Sequence, residues 1–116
     1  MARRRLYHRD RYTLPGSVVD IVKSICADYE RRRRVMEHVE DEQVCAMCLM
    51  LNGAIDTALS EVEEGLRGDL LSDLAEGRGY ERSAAADKIS KNAYYNRRRK
   101  LVYDIAHGLA LLHEAN

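Results

Sequence analysis

The chain of 116 residues has the length of one domain, and its apolar fraction of 46% includes no Phe and no Trp, so the core has to be built from aliphatic residues, Met and Tyr. The single proline and the lack of alternating β-branched runs predict an all-α fold; no window is apolar enough for a membrane span or a signal peptide, which predicts a cytoplasmic protein. The formal net charge of zero does not exclude nucleic acid as a partner, because the charges are segregated along the chain.

Three segments carry most of this charge segregation. Residues 1–15 contain five arginines against one aspartate, a balance of +4. Residues 35–87 contain thirteen acidic and three basic side chains, a balance of −10, whereas residues 88–103 contain six basic side chains and no acidic one. The two basic segments are therefore the candidates for contact with nucleic acid.

Residues 1–16 show no apolar periodicity and are predicted to form a flexible basic arm that ends at Pro15-Gly16. Tyr7 and Tyr12 stand among its arginines. The arm is either solvated and disordered, or it orders on a DNA backbone or in a minor groove.

A first long helix is predicted over residues 17–39, with Ser17 as its N-cap. Its apolar stripe consists of Val18, Val22, Ile25, Tyr29 and Met36. A run of four arginines, residues 31–34, falls late in this helix. Either these cations suit the helix C-terminus and pair with nearby acids, or they form a second phosphate-binding patch.

Two further helices, over residues 41–64 and 66–76, complete a predicted N-terminal bundle that spans residues 17–78. Asp41 is expected to cap the longer of the two. Gly53 in the middle of that helix costs roughly 1 kcal/mol relative to Ala, which predicts a close helix crossing at this point.

Residues 79–116 are predicted to form a helix–turn–helix, with a short helix over 81–88 and a long helix over 91–114. Ser90 is the expected N-cap of the long helix. The buried face of that helix is marked by apolar or small residues three and four positions apart, which are Tyr94, Leu101, Ile105, Gly108 and Leu112. Polar and cationic side chains occupy the opposite face, where they are free to enter a DNA groove.

One set of residues in the last third of the chain matches a known pattern. Its members are Tyr80, Ala84, Ile89-Ser90, Tyr94-Tyr95, Arg97-Arg98-Arg99-Lys100, Tyr103-Asp104-Ile105-Ala106 and Leu109. They resemble the C-terminal part of ArpU/RinA-like phage transcriptional regulators. The resemblance implies a helix–turn–helix similar to region 4 of sigma factors, and a role in the control of phage or prophage genes.

The site predicted on the long helix divides into two groups of side chains. Steps of about 100° per residue place a base-facing group on one outward surface. This group comprises Lys91, Asn92, Tyr95, Asn96 and Arg99, with Tyr95 as an exposed aromatic. The group expected to hold phosphates comprises Ser90, Arg97, Arg98 and Lys100. The predicted partner of both groups is double-stranded DNA, read in its major groove.

The predicted function is sequence-specific DNA binding in transcriptional regulation. The alternative is a helical protein–protein interaction module, in which the acidic middle segment binds RNA polymerase or a phage protein and the arginine run is a solvated face. A homodimer is expected, because most helix–turn–helix proteins pair two copies on two half-sites. Leu109, Leu111 and Leu112, together with the stripes of the N-terminal helices, supply apolar surface for it.

Other kinds of chemistry find little support in the sequence. Cys45 and Cys48 form a CxxC motif, but Cys26 and His38, the nearby candidates for two further zinc ligands, fall on another predicted helix. We expect the cysteines to be reduced and packed as small apolar residues, with no metal and no cofactor. No Ser/His/Asp or Cys/His spacing supports nucleophilic catalysis, so the chain is not expected to be an enzyme.

Overall fold

The computed structural model describes residues 12–111, which form five α-helices and no β-strand. In chain order, the helices are α1 (Gly16–Ala27), α2 (Tyr29–His38), α3 (Glu42–Leu59), α4 (Glu64–Glu76) and α5 (Lys91–Gly108). Two 3₁₀ turns, Tyr80–Arg82 and Ala84–Asp87, lie between α4 and α5. The predicted all-α fold of about five helices is confirmed. None of these helices is long and apolar enough to cross a lipid bilayer.

Most of the predicted basic arm, residues 1–11, and the C-terminal residues 112–116 lie outside the described residues. The predicted stripe residue Leu112 belongs to the second of these segments.

The core forms where α1, α4 and α5 meet, and the C-terminal half of α3 closes it. Its most deeply buried apolar side chains are Val22, Ile55, Leu70, Leu74, Tyr94, Leu101 and Ile105. Burial of one such side chain stabilises a fold by about 1.5–3 kcal/mol, so this cluster fixes the position of α5 on the bundle. The predicted buried face of the last helix is confirmed at Tyr94, Leu101 and Ile105.

The prediction of one helix over residues 17–39 is wrong, because the helical path breaks at Asp28. The backbone there has φ of −98° and ψ of 7°, outside the α-helical region. Arg32 lies one turn into α2 with 5% of its surface exposed. Its guanidinium donates to the backbone carbonyl of Ile25 and, at 2.6 Å, to Oδ1 of Asn52. Arg32 therefore satisfies a carbonyl group at the end of α1 and ties α2 to α3.

α3 begins as predicted with Asp41 as its N-cap. The Asp41 carboxylate accepts hydrogen bonds from the backbone N–H groups of Gln43 and Val44, at 2.9 and 3.1 Å. The helix ends at Leu59 instead of residue 64, and the next helix begins at Glu64.

The close helix crossing predicted at Gly53 is wrong. A Cβ atom placed on Gly53 would meet no atom within 4 Å. The close approach of α3 to α5 lies at Gly108, where an added Cβ would be 3.6 Å from the Cβ of Ala54. Gly53 therefore leaves open space on the outer side of α3.

The short motif helix predicted over residues 81–88 is replaced by the two 3₁₀ turns. Ser83 separates them in an extended conformation, with φ of −89° and ψ of 143°, and its Oγ accepts the backbone N–H of Ala85 at 2.9 Å. A serine that bonds to the backbone in this way competes with a continuous helix. α5 begins at Lys91 as predicted but ends at Gly108 instead of residue 114.

Candidate nucleic-acid interface

The start of α5 is fixed by its cap. The Ser90 Oγ accepts the backbone N–H of Ala93 at 3.2 Å, which satisfies one of the free N–H groups at the helix N-terminus. From this point the helix turns its apolar residues into the core and its polar residues outward. The cap therefore sets the residue at which α5 begins.

Three polar side chains follow one another along the outer surface of α5. Asn92 and Asn96 are exposed, Arg99 is half-buried, and a terminal Nη of Arg99 donates to Oδ1 of Asn96 at 2.5 Å. We call Asn92, Asn96 and Arg99 the outward stripe. Asn and Arg are the side chains that pair bidentately with adenine and guanine in the major groove. The outward stripe therefore has the chemistry needed to read base edges.

Lys91 is exposed at the first turn of α5. Its Nζ donates to Oε2 of Glu81 at 2.8 Å, and this hydrogen bond lowers the pKa of Glu81 and raises that of Lys91. An exposed ion pair contributes little to stability, because water and salt screen it. Lys91 can therefore exchange Glu81 for a phosphate at small cost.

Tyr95 is not the exposed aromatic that the sequence predicted. Its ring is half-buried and packs edge-on against Tyr94, with 4.9 Å between ring centroids. Its hydroxyl accepts the backbone N–H of Tyr80 at 3.1 Å. The physical reason is its place on the helix, about 100° from Asn96 and toward the 3₁₀ turns. Tyr95 positions the turns against α5.

Tyr80 holds the other end of the turns. Its hydroxyl lies 3.1 Å from the carbonyl oxygen of Ala86 and 2.8 Å from that of Ile89, and it can donate to either. Its ring packs edge-on against Tyr94, with 5.3 Å between centroids. Three tyrosines thus fix the segment before α5, a role that their spacing in the sequence did not indicate.

A buried polar network joins α4 to α5. The carboxylate of Asp73, 1% exposed, accepts the Tyr94 hydroxyl at 2.7 Å and Nε of Arg78 at 3.1 Å. Burial and this hydrogen bond raise the pKa of Tyr94. Sequence reasoning missed Asp73, although its place three residues after Leu70 on the buried side of α4 was a signal for it.

Arg98 belongs to the same network. A terminal Nη donates to the Tyr94 hydroxyl at 2.8 Å and to the backbone carbonyl of Arg78 at 2.5 Å. Its guanidinium carbon lies 5.8 Å from the centre of the Tyr94 ring. These contacts turn the Arg98 cation inward, away from any groove that the outward stripe would enter.

The other two cations predicted to hold phosphates also have partners. Arg97 donates through Nε and a terminal Nη to the carboxylate of Glu63, and these hydrogen bonds lower the pKa of Glu63 to about 2. Nζ of Lys100 donates to Oδ2 of Asp104 at 2.7 Å. The three cations that were predicted to hold phosphates, Arg97, Arg98 and Lys100, are therefore hydrogen-bonded to several different parts of the molecule.

The arginine run on α2 fits the interpretation in which its cations pair with nearby acidic residues. Arg31 pairs with Asp28 at 2.5 Å, and Arg33 pairs with Glu30 at 3.5 Å. Arg32 is buried, and its guanidinium contacts both the end of α1 and α3. Arg34 is exposed. The run is therefore a weak basis for a second phosphate-binding patch.

The segment that leads into α1 lies beside the outward stripe. Residues 12–14 line a cavity of about 280 Å³ together with Arg99 and Lys23. The ring of Tyr12 packs edge-on against that of Tyr103, with 5.3 Å between centroids. The described chain therefore begins next to the polar face of α5, and the basic residues 1–11 precede this point in the sequence.

The cysteines do not converge. Cys48 is buried and Cys45 half-buried on α3, and the Cys45 thiol lies 3.1 Å from the backbone carbonyl oxygen of Val39. Burial raises the pKa of Cys26, on α1, to about 11. Within residues 12–111, no three His, Cys, Asp or Glu side chains come together in a way that could hold a metal ion.

The outward stripe is thus a short polar surface on a helix that a buried network and a hydrophobic core hold from behind. Comparisons with protein-family models, curated proteins and solved structures found no match for this chain.

Proposed function

We propose that the chain binds DNA in a sequence-specific manner and regulates the transcription of phage or prophage genes, with α5 as its recognition helix. The observation that carries this proposal is the outward stripe. Asn92, Asn96 and Arg99 share the exposed side of a helix whose opposite side is buried in the core. Recognition helices contact bases with residues of their N-terminal half, where these three lie.

Rigid support for α5 favours readout of bases over loose electrostatic attachment. The network of Asp73, Tyr94 and Arg98 fixes its rotation, and the tyrosine contacts fix the turn in front of it. A bidentate contact with a base edge requires such fixed geometry, because it discriminates by about 1–3 kcal/mol only when both hydrogen bonds form.

Cations around the outward stripe supply the proposed phosphate contacts. Lys91, Arg97 and Lys100 pair with carboxylates at the surface, and a phosphate can replace each of these partners. We leave Arg98 out of this group because its half-buried guanidinium is hydrogen-bonded to Tyr94 and to the backbone carbonyl of Arg78. We leave Tyr95 out of the base-facing group because its half-buried hydroxyl accepts the backbone N–H of Tyr80. Ser90 remains in the proposed phosphate-binding group because it lies at the N-terminal end of α5, where the outward stripe begins.

The resemblance of the last third of the chain to ArpU/RinA-like regulators supports transcriptional control as the purpose of DNA binding. It favours double-stranded DNA as the partner. A homodimer is proposed because most helix–turn–helix proteins pair two copies on two half-sites, and RNA polymerase is the proposed partner of the acidic middle segment. A protein–protein interaction module is the second candidate function, favoured by the exposed apolar side of α3.

The proposal is tested by selection of duplexes from a random pool, followed by a salt titration. We expect one motif to be enriched, and its affinity to exceed that of random duplex by about 10³-fold or more at physiological salt. Asn96→Asp should abolish the preference, because a carboxylate faces the bases where an amide stood. Ser24→Asp, on the exposed side of α1, adds the same charge and should keep it. If no motif is enriched and binding does not weaken with salt, the interaction-module function is favoured instead.

A further inference from the structure

α3 carries an apolar surface on two sides. From Gln43 to Ile55 it contains no charged side chain. Its inner side is buried at Cys48 and Ile55, while Met47 and Met50 on its outer side are 62% and 58% exposed. A helix that is apolar all round is normally covered on all sides, and contiguous exposed apolar surface marks an interaction site.

The outer side of α3 is symmetric in its spacing about Met50. Met47 and Gly53 lie three residues before and after it, and Ala46 and Ala54 lie four residues before and after it. All of these positions share one side of a helix. If a second α3 packs antiparallel on the first, with a two-fold axis at Met50, Met47 of each copy lies opposite Gly53 of the other. Ala46 then lies opposite Ala54, which allows close approach of the two helices.

The position opposite Met47 has room for it. A Cβ on Gly53 would meet no atom within 4 Å, and Gly53 lines a groove of about 590 Å³ between α3 and α5. Ala54 and Gly108 form the narrow part of this groove, where the two helices approach each other. Methionine is the side chain best able to adapt to an irregular groove, because it is long and unbranched.

Polar groups at the two ends of this surface favour a second copy over other partners. In the antiparallel pairing Gln43 lies opposite Thr57, which gives one polar pair at each end of the surface. The acidic flanks at Glu42 and Asp56 would repel nucleic acid and an anionic lipid surface.

Two of the leucines that the sequence predicted for self-association do not offer such a surface, and the third, Leu112, lies outside the described residues. Leu109 and Leu111 are half-buried and pack against the core. Among the described residues, most of the large exposed apolar side chains lie on α3, namely Val44, Met47, Leu49 and Met50.

We propose that two copies of this chain pair through the outer sides of their α3 helices, in antiparallel orientation, with Met47 of each copy seated at Gly53 of the other. This inference deepens the proposed function, since it names the surface through which a DNA-binding dimer forms. Standard interfaces bury about 800 Å² per partner. We therefore expect residues beside α3 to contribute further contacts around this apolar centre of the interface.

Molar mass in the absence of DNA, measured by light scattering or sedimentation, tests the pairing. The wild type should show twice the mass of the 13.3 kDa chain. Gly53→Leu should fold as the wild type does, because open space surrounds Gly53, but should return the mass to one chain because the new side chain blocks Met47. The double variant with Met47→Ala and Gly53→Leu exchanges the large and small residues and should restore the dimer.

An aspartate introduced at either of two exposed positions of α3 gives a test variant and its matched control. Met50→Asp should dissociate the dimer, because the two-fold axis brings two carboxylates together. Leu49→Asp should leave the dimer intact, because Leu49 is equally exposed, at 64%, but points about 100° away from Met50. Circular dichroism and the thermal midpoint show whether each variant is folded.

A wild type with the mass of one chain would overturn the inference and leave the outer side of α3 to a helix of another protein. A dimer that Gly53→Leu does not weaken would place the interface elsewhere and also overturn it. The two proposals fail separately: a monomer that still selects a DNA motif refutes the pairing alone, whereas an α3-dependent dimer that selects no motif refutes the DNA-binding function alone.

Discussion

The guanidinium of Arg98 lies inside the junction between α4 and α5. It donates to the hydroxyl of Tyr94 and to the backbone carbonyl of Arg78, and Tyr94 in turn donates to the buried carboxylate of Asp73. Arg98 therefore serves the fold, while Arg99, the next residue, lies on the outward stripe. In a run of four basic residues, the direction of each side chain on the helix decides between these roles.

Arg98→Ala should lower the free energy of unfolding by about 1–3 kcal/mol, because it leaves half-buried oxygen atoms without their donor. Chemical denaturation measures this loss. Arg34→Ala removes the same charge from an exposed position on α2 and should change the free energy of unfolding by no more than about 0.5 kcal/mol. Equal effects of the two substitutions would show that the network does not stabilise the fold.

The ion pair of Glu63 with Arg97 should make stability depend on pH in acid. The hydrogen bonds from Arg97 lower the pKa of Glu63 from 4.5 to about 2 in the folded protein. A carboxyl group with a lowered folded-state pKa stabilises the fold above its unfolded pKa, and this contribution is lost as pH falls through the folded pKa.

Thermal midpoints of the wild type and of Glu63→Gln test this dependence. The difference between them should be largest above pH 4.5 and should shrink as the pH falls toward 2. Because the pair is at the surface, salt should reduce the difference as well. A difference that is constant over this range would contradict the assignment.

Among the helices, α4 has two glycines, Gly68 and Gly77, whose replacement should have opposite effects on stability. Gly68 lies within the helix, where an added Cβ meets no atom within 4 Å, whereas Gly77 ends the helix with φ of +71°. Gly68→Ala should raise the free energy of unfolding by roughly 0.5–1 kcal/mol, because alanine is the better helix former. Gly77→Ala should lower it by about 1 kcal/mol, because a Cβ is strained in the left-handed region. Thermal denaturation of the two variants should move the midpoint in opposite directions.

Helix starts that depend on local chemistry were predicted correctly from the sequence. Asp41 and Ser90 cap α3 and α5 as expected, because a capping side chain bonds to backbone two or three residues away. The break at Asp28 was missed because its stabilising contact is not local. Arg32 bonds to Asn52, which is twenty residues away, and both positions resemble ordinary helix residues in the sequence.

The candidate site was predictable where helical periodicity decides exposure. Asn92, Asn96 and Arg99 lie on the outer surface, as the steps along the helix indicated. Tyr95 and Arg98 were assigned to the surface because their partners, Tyr80 and Arg78, lie in the segment between α4 and α5, whose path over α5 no local pattern indicates. A pattern within one helix does not show which side another segment covers.

In the whole molecule, two surfaces with different chemistry lie on different helices. The outer side of α5 is polar and cationic, and the outer side of α3 is apolar and uncharged. Such a division suits a protein that reads DNA with one helix and pairs with a second copy through another. The formal net charge of zero is consistent with both surfaces, because Glu63 and Glu81 of the acidic segment pair with Arg97 and Lys91 of the basic one.

The affinities of Arg99→Ala for the selected duplex and for random duplex test whether the outward stripe reads bases. We predict that the ratio of these two affinities falls by about tenfold, since a bidentate base contact discriminates by about 1–3 kcal/mol. Arg34→Ala removes an equal charge from α2 and should leave the ratio unchanged. If Arg99→Ala weakens binding to both duplexes by the same factor, the outward stripe does not read bases and the proposed sequence-specific function is wrong.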